Sequence, residues 1–249
     1  MDGRIGVTGG TNRLLDALSA AQSQHLRRLL RPVFLDVSTV LFDPGEEIDF
    51  VDFPSTCVVS LVALFQEGIT VEVATIGNEG IIGVPMVLGG SLAVRAIASV
   101  AGWVDRMDAS TFVHEVKGDL HLHELVDDYV LALFGQISQS AACNRLHPNE
   151  ARLSRWLLMS HDRLGTDEIA ITHELLGQML GSRRPTMTLS AERLRVAGLI
   201  RYHRGRVTIV DRAGLEAVAC ECYVAIKTAL DGVVQRAVLR TRASEASTS

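Results

Sequence analysis

The chain has 249 residues, 47% hydrophobic and 21% charged, with 24 basic against 29 acidic side chains and a formal net charge of -5. That length and apolar fraction provide a sizeable core and exclude a chain dominated by disorder. The longest apolar runs, such as Ile81 to Leu88, are far too short to span a bilayer, and Met1 to Thr11 is polar and glycine-rich with no secretory core, so no membrane association and a cytoplasmic location are expected.

In chain order, Asn12 to about Leu30 carries Leu14, Leu15, Leu18, Leu26, Leu29 and Leu30 among alanines and arginines, which predicts a short amphipathic helix or helix pair. From Val33 to about Val116 the texture changes to short β-rich runs. Thr39 to Phe42, Val58 to Phe65 and Thr70 to Ala74 are separated by the turn signals Asp43-Pro44-Gly45, Gln66-Glu67-Gly68 and Gly77-Asn78-Glu79-Gly80. Turns at that spacing predict a compact antiparallel barrel or jelly roll. A long helix is predicted from about Leu120 to Arg145. Along it Leu122, Val126, Tyr129, Leu133, Gln136 and Ser140 mark a seam at alternating steps of four and three, with Leu125, Val130, Phe134 and Ile137 beside it. Two such helices can pair along the apolar half, with the polar positions helping to fix register, although one helix lying on the barrel would show much the same pattern. The helix-breaking His147-Pro148-Asn149 is a natural domain boundary, and another helix is expected from Ala151 to Leu164.

The stretch Ile171 to Val210 reads as two short helices, a tight turn and a basic hairpin. Thr172 stands at an N-cap position, and Leu175, Leu176, Met179 and Leu180 form one buried face before Gly181 ends the helix. Ser182-Arg183-Arg184-Pro185 opens a second helix running to Ala197, with Met187, Ala191 and Leu194 on its packing stripe. Arg184, Thr188, Glu192 and Arg195 share a wetter face. Gly198 stops the helix, and Leu199 to Val210 alternates on both sides of an Arg204-Gly205 turn, as a two-stranded wing does.

Charge sharpens that reading. Residues 1–148 hold 9 basic and 18 acidic groups, net -9, and residues 149–249 hold 15 and 11, net +4. From Arg183 to Arg206 there are seven arginines and a single acid, Glu192. An acidic first portion repels phosphate, so any nucleic-acid contact must come through the second.

Beyond Val210, Asp211 is expected to cap a last helix from Arg212 to about Leu230, and Thr241 to Ser249 to form a disordered polar tail. The four cysteines, Cys57, Cys143, Cys220 and Cys222, are too few and too uneven for a disulfide framework. Cys220-Glu221-Cys222 is a lone C-x-C. With no second close pair it reads as thiols on a helix, so no metal and no cofactor are expected. No G-x-S-x-G, P-loop, H-E-x-x-H or paired-carboxylate cluster appears, and Asp127-Asp128 reads as solvated charge on a helix; an enzyme is not expected.

Helix, turn-rich barrel, long helix and winged helix-turn-helix in this order resemble the cyclic-AMP receptor protein and Fnr (Crp/Fnr) family of bacterial transcription regulators. Thr172, Gly177, Gly181, Ser182-Arg183-Arg184-Pro185-Thr186 and Gly198-Leu199-Ile200 fall on the family's pattern. The resemblance implies an α+β fold. Residues 1–117 would be a cyclic-nucleotide-binding-like β-barrel (jelly roll) sensor, 118–147 a dimerisation helix, and 148–249 a winged helix-turn-helix DNA-binding domain. It also implies a dimeric, sequence-specific regulator whose partners are double-stranded DNA, a second copy of itself, RNA polymerase and a small-molecule effector. Arg184 would read guanine, whose O6 and N7 a guanidinium fork matches. Thr186 and Thr188 would reach phosphates or base edges, Arg183, Arg204 and Arg206 would hold the backbone, and Leu189 would touch a thymine methyl or turn inward. Thr172 and Ser182 complete the expected DNA-binding set, and Leu122, Val126, Tyr129, Leu133 and Ile137 the expected dimer interface.

Two departures alter the expectation. Pro185 and Leu189 stand where the cyclic-AMP receptor has a glutamate and a second arginine, so a different operator is expected. In the effector region Gly83-Val84-Pro85 replaces the glycine and glutamate, Gly80 to Val104 contains no acid, and Arg95-Ala96 is the only phosphate contact on offer. Cyclic-AMP control is therefore not expected. Nor is an Fnr-type iron-sulfur cluster, since no cysteine precedes Cys57, or haem, since nothing singles out His25, His114, His121 or His123. The alternative reading is a small-molecule or cyclic-nucleotide receptor whose winged domain contacts protein.

Overall fold

The computed structural model of the chain describes residues 10–66, 69–84, 87, 89–90 and 92–248. Of the positions named above, residues 1–9, Glu67 and Gly68 of the second turn, Pro85, Met86 and Leu88 of the 81–88 run, Ser91 and Ser249 lie outside these. Asn12 caps α1 (Arg13–Asp16) by accepting from the Leu14 and Leu15 N–H groups, while its buried amide donates to Pro54 O and Gly80 O at 3.1 and 2.9 Å. Ser19 and Gln22 close a capping box on α2 (Ala20–Leu29), so the expected helix pair is present and α1 is pinned to the sheet domain.

Seven strands follow: β1 (Arg31–Leu35), β2 (Val40–Phe42), β3 (Phe50–Pro54), β4 (Val58–Leu64), β5 (Thr70–Ile76), β6 (Arg95–Val100) and β7 (Gly102–Asp108). They do not close into a single barrel. They form a three-stranded sheet of order β1-β7-β3 and a four-stranded sheet of order β2-β6-β4-β5, all antiparallel. Only Ala101 separates β6 from β7, so the chain steps there from one sheet to the other, and register shifts at Val58/Val59 and Leu61/Val62 bend β4. Leu35, Phe42, Leu61, Ile76, Ala96, Ala98 and Val104 fill the core of this domain, while Phe53 meets Phe112 edge-on at 5.7 Å.

The chain then turns helical, with α3 (Ala109–Gly118), α4 (Leu120–Leu146) and α5 (Asn149–Leu164). The bounds of α4 match the expected long helix, but its seam does not face a partner. Leu122, Val126 and Tyr129 are 1–3% exposed inside the chain's own main core, and Leu133 and Ile137 are partly buried against the sheet. Gln136, whose polarity suggested a register lock between two copies, instead donates to Thr75 O of β5 at 2.9 Å. The periodicity reported a buried stripe correctly, and the partner burying it is intramolecular. A different stripe of α4 is open: Asp127, Leu131, Phe134, Ser138, Ala141 and Arg145 are all exposed at steps of four and three, with Leu131 and Phe134 at 69% and 68%.

The last third comprises β8 (Glu168–Ala170), α6 (His173–Met179), α7 (Arg184–Val196), β9 (Ile200–His203), β10 (Arg206–Ile209), α8 (Arg212–Val218) and α9 (Cys222–Thr248). The single final helix expected from Arg212 is broken at 219–221. The polar tail expected to be disordered is helical through Thr248. Arg236 and Arg240 on α9 pair with Asp128 and Glu124 on α4, and Thr241 donates to Ala17 O at 3.1 Å, so the tail is tied to other elements of the same chain.

The two halves share a buried polar seam. Glu72 on β5 accepts from Ser60 at 2.6 Å and from the indole of Trp156 on α5 at 3.2 Å. Arg163 on α5 pairs with Glu79 at 2.7 Å and donates to Thr75 O at 2.8 Å. Buried charges need such partners, so α5 sits on the sheet domain in a specified position.

Candidate nucleic-acid interface

The helix-turn-helix is built from its caps inward. Thr172 Oγ1 accepts from Leu175 N at 3.2 Å and starts α6. At the other end Gly181 adopts φ +56, and Ser182 N donates to Gly177 O at 2.8 Å. A Cβ on Gly177 would approach Ser182 O to 2.9 Å, so the sharp return requires glycine there. Asn149 Oδ1 accepts from Ser182 Oγ at 2.7 Å, and Arg152 donates to both Asn149 and Leu180 O, so the first turn of α5 clasps the turn between the two helices.

From that turn α7 leaves with Arg183 at its N-cap and Pro185 in its first turn. Met187, Ala191 and Leu194 are buried as the packing stripe requires, and Ser190 joins them. Arg183, Arg184, Thr186, Thr188, Leu189, Glu192 and Arg195 are exposed. Leu189, for which the sequence left inward and outward placements open, is 53% exposed. The two ends of the motif differ in what remains available. The Thr172 and Ser182 hydroxyls are used locally, as cap and clasp, and Thr188 Oγ1 donates to Arg184 O at 3.0 Å.

The wing is a hairpin of β9 and β10, with His203 opposite Arg206. Its two-residue turn, Arg204-Gly205, has φ +46 and +76, the positive pair that a primed hairpin turn demands. A third strand, β8, pairs with β10 on the other side. Its three residues are too short to leave a period-2 signal in the sequence.

The seven arginines divide by partner. Arg193 is held by Glu150 at 2.5 Å, Arg195 by Glu192 at 2.6 Å and Arg206 by Glu168 at 2.5 Å. Arg183, Arg184, Arg201 and Arg204 are exposed and form no ion pair among the described residues. Of these, Arg201 belongs to the basic run but lies outside the expected contact set. Exposed guanidinium groups on the first turn of a surface helix and at a hairpin tip can hold phosphate oxygens and fork onto guanine.

The expected effector residues fare differently. Ala96 is fully buried and Val84 is 2% exposed, so both are core. Gly83 has φ +91, and a Cβ there would meet Phe50 O at 2.7 Å. Arg95 donates through Nε to Asp43 Oδ1 at 2.6 Å. Of the four, Arg95 alone has a charged side chain, and Asp43 engages it. The C-x-C is not merely two thiols on a helix either. Cys220 lies in the break before α9, Cys222 opens that helix, and Cys143 and His147 from the end of α4 meet them. Their spacing of four, which puts 143 and 147 on one helix side, was the signal available in the sequence.

Residues 151–218 match the family model described as a Crp-like helix-turn-helix domain. Among solved structures, FixK2 from Bradyrhizobium japonicum superposes with a TM-score of 0.66 at 15% identity, covering 77% of this chain and 98% of that one. TTHB099, a CRP family transcriptional regulator from Thermus thermophilus, superposes at 0.62 and 21% identity, over 75% and 96%. The c-di-GMP responsive global regulator CLP from Xanthomonas campestris superposes at 0.59 and 11%, over 77% and 99%. No curated protein matches the sequence. The chain thus has the Crp/Fnr fold, with a Crp-like helix-turn-helix in its C-terminal half.

Proposed function

We propose that this chain, a Crp/Fnr-type transcription regulator by its fold and its helix-turn-helix, binds duplex DNA sequence-specifically as a homodimer and answers to a signal other than cyclic AMP. The observation carrying the reading is the exposed first turn of α7, where Arg183 and Arg184 have no ion-pair partner among the described residues while arginines further along are neutralised. In this reading Arg184 forks onto a guanine, Thr186, Thr188 and Leu189 line the same helix toward the major groove, and Arg183 and Arg204 hold phosphates. Arg206, already paired with Glu168, is a weaker backbone contact. Thr172 and Ser182 contribute by shaping the turn.

Dimerisation is assigned to the open stripe of α4 centred on Leu131 and Phe134, because the stripe through Val126 and Tyr129 is covered by the chain itself. A two-fold axis there gives each dimer two recognition helices and so two half-sites. The argument against cyclic AMP rests on the sequence from Gly80 to Val104, which holds no carboxylate for a ribose, and on Arg95, which is engaged by Asp43. A c-di-GMP responsive regulator shares the fold, so the fold itself does not prescribe the signal.

Fluorescence anisotropy against labelled duplexes tests this. Affinity for a preferred sequence should fall steeply as salt rises, with a slope reduced by about one on Arg204→Ala. Indifference to duplex DNA at low salt would instead favour a receptor whose winged domain contacts protein.

A further inference from the structure

Far along the chain from the recognition helix, four metal-ligating side chains from two separate segments converge. Cys143 lies in the last turn of α4, and His147 is that helix's C-cap residue. Cys220 and Cys222 flank Glu221 in the break between α8 and α9. Cys143 Sγ is 3.5 Å from Cys220 Sγ, Cys222 Sγ is 3.5 Å from His147 Nδ1, and all four donor atoms lie within 4.8 Å of one another. Zn–S bonds of about 2.3 Å in a tetrahedron put neighbouring donor atoms about 3.7 Å apart, so the cluster is already close to the size of a single four-coordinate ion. An iron-sulfur cluster, which interposes two or more irons and bridging sulfides, would need its protein ligands further apart.

The surroundings match a metal centre in three further respects. His147 turns Nδ1 toward the thiols and Nε2 toward Glu221 Oε1 at 3.2 Å, the carboxylate–histidine arrangement that fixes tautomer and ring orientation in zinc sites. Gln139 Nε2 lies 3.1 Å from Cys222 Sγ, as a donor to a thiolate would. Arg152 and Arg155 on α5 are 7% and 4% exposed, act electrostatically on Cys143 and form no ion pair among the described residues. Buried cations are costly unless anions lie near, and three thiolates with one divalent ion would add a net negative charge to that of Glu72, which already acts on both arginines.

We propose that Cys143, His147, Cys220 and Cys222 bind one zinc ion in a closed tetrahedral Cys3His site. The ion ties the end of the long helix to the segment that leaves α8, beside the His147-Pro148 break between α4 and α5. Occupancy therefore adds a tie between α4 and the start of α9 to the buried contacts that already seat α5 on the sheet domain. Binding releases the thiol protons to solvent, so affinity rises with pH. The site stands independently of the DNA-binding reading, since its primary readout is metal content.

The test uses the full-length protein. Purified without chelator, it should carry one zinc per chain by elemental analysis, and the metal-free protein titrated with cobalt(II) should develop tetrahedral ligand-field bands with thiolate charge transfer, saturating at one equivalent. Cys222→Ser should abolish stoichiometric binding, and Glu221→Gln should weaken it about 10- to 100-fold while leaving the fold intact by circular dichroism. Four freely reactive thiols with no metal uptake, a Cys143–Cys220 disulfide in the mass spectrum, or iron with acid-labile sulfide would each overturn the assignment.

Discussion

On the proposed function, the arginines that contact DNA are separated from the others by their partners. Arg184 is exposed and forms no ion pair among the described residues, so its five donors remain for a base edge. Arg184→Ala should cost about 1–3 kcal/mol on the preferred site and relax one base position, read by binding across a library randomised at each position. Arg204→Ala should weaken all duplexes alike. Arg195, held by Glu192 through two bonds of 2.6 and 2.7 Å, contributes little until that carboxylate is removed. Glu192→Gln is therefore expected to tighten binding to every sequence and steepen its salt dependence, and unchanged affinity at low salt would count against the partner argument. The basic run, the Arg204-Gly205 turn and the Gly177/Gly181 pair were all legible in the sequence, because charge and positive-φ requirements are local. The direction of Leu189 and the use of the Ser182 hydroxyl were not legible, since both depend on what α5 brings alongside.

Among elements, α4 shows where a periodic pattern stops informing. Its steps of four and three correctly give a long helix with a buried stripe, but a period carries no information on whose surface covers it. Here Val126 and Tyr129 share one core cluster with Ile81 and with Val233 and Ala237 of the unexpectedly long α9, leaving Leu131 and Phe134 outside. Leu131→Asp with Phe134→Asp should shift a dimer to monomer in sedimentation while leaving the fold intact, whereas Val126→Asp should unfold the chain by burying an unpaired charge. The contact between β5 and α5 should respond to pH. Burial pushes the Glu72 carboxyl up to about 7, opposed by the Ser60 hydrogen bond, the Arg155 charge, the Trp156 hydrogen bond and the Arg163 charge. Because the folded chain holds this proton more tightly than the unfolded one, the contribution is complete below the ordinary value of 4.5 and is lost as pH rises through about 7. Its size is at most about 3 kcal/mol. Denaturation midpoints should therefore fall with rising pH in the native protein relative to Glu72→Gln, and parallel profiles for the two would show that Glu72 does not titrate in this range.

At the scale of the whole molecule, residues 1–148 carry net -9 and residues 149–249 net +4, and the two parts are joined through the Glu72, Thr75 and Glu79 seam and through α9. The order of the parts was legible because each announces itself by a different texture: turn-rich strands, one long helix, then a basic helix pair and hairpin. Their docking was not, since the Trp156 to Glu72 and Arg163 to Glu79 contacts each span 84 positions, and no local pattern encodes such separations. The turn spacing allowed either a closed barrel or a jelly roll; the two separate sheets decide against closure, a choice that no local pattern encodes. On the proposed function, two copies present α7 to adjacent major grooves of one duplex. Selecting bound fragments from a random duplex pool, with and without cyclic AMP, measures this most directly. An enriched two-fold symmetric motif with half-sites about 34–36 Å apart, unchanged by cyclic AMP and losing one conserved position on Arg184→Ala, is the expected result. A pool that stays random, or a motif that ignores Arg184, would contradict it.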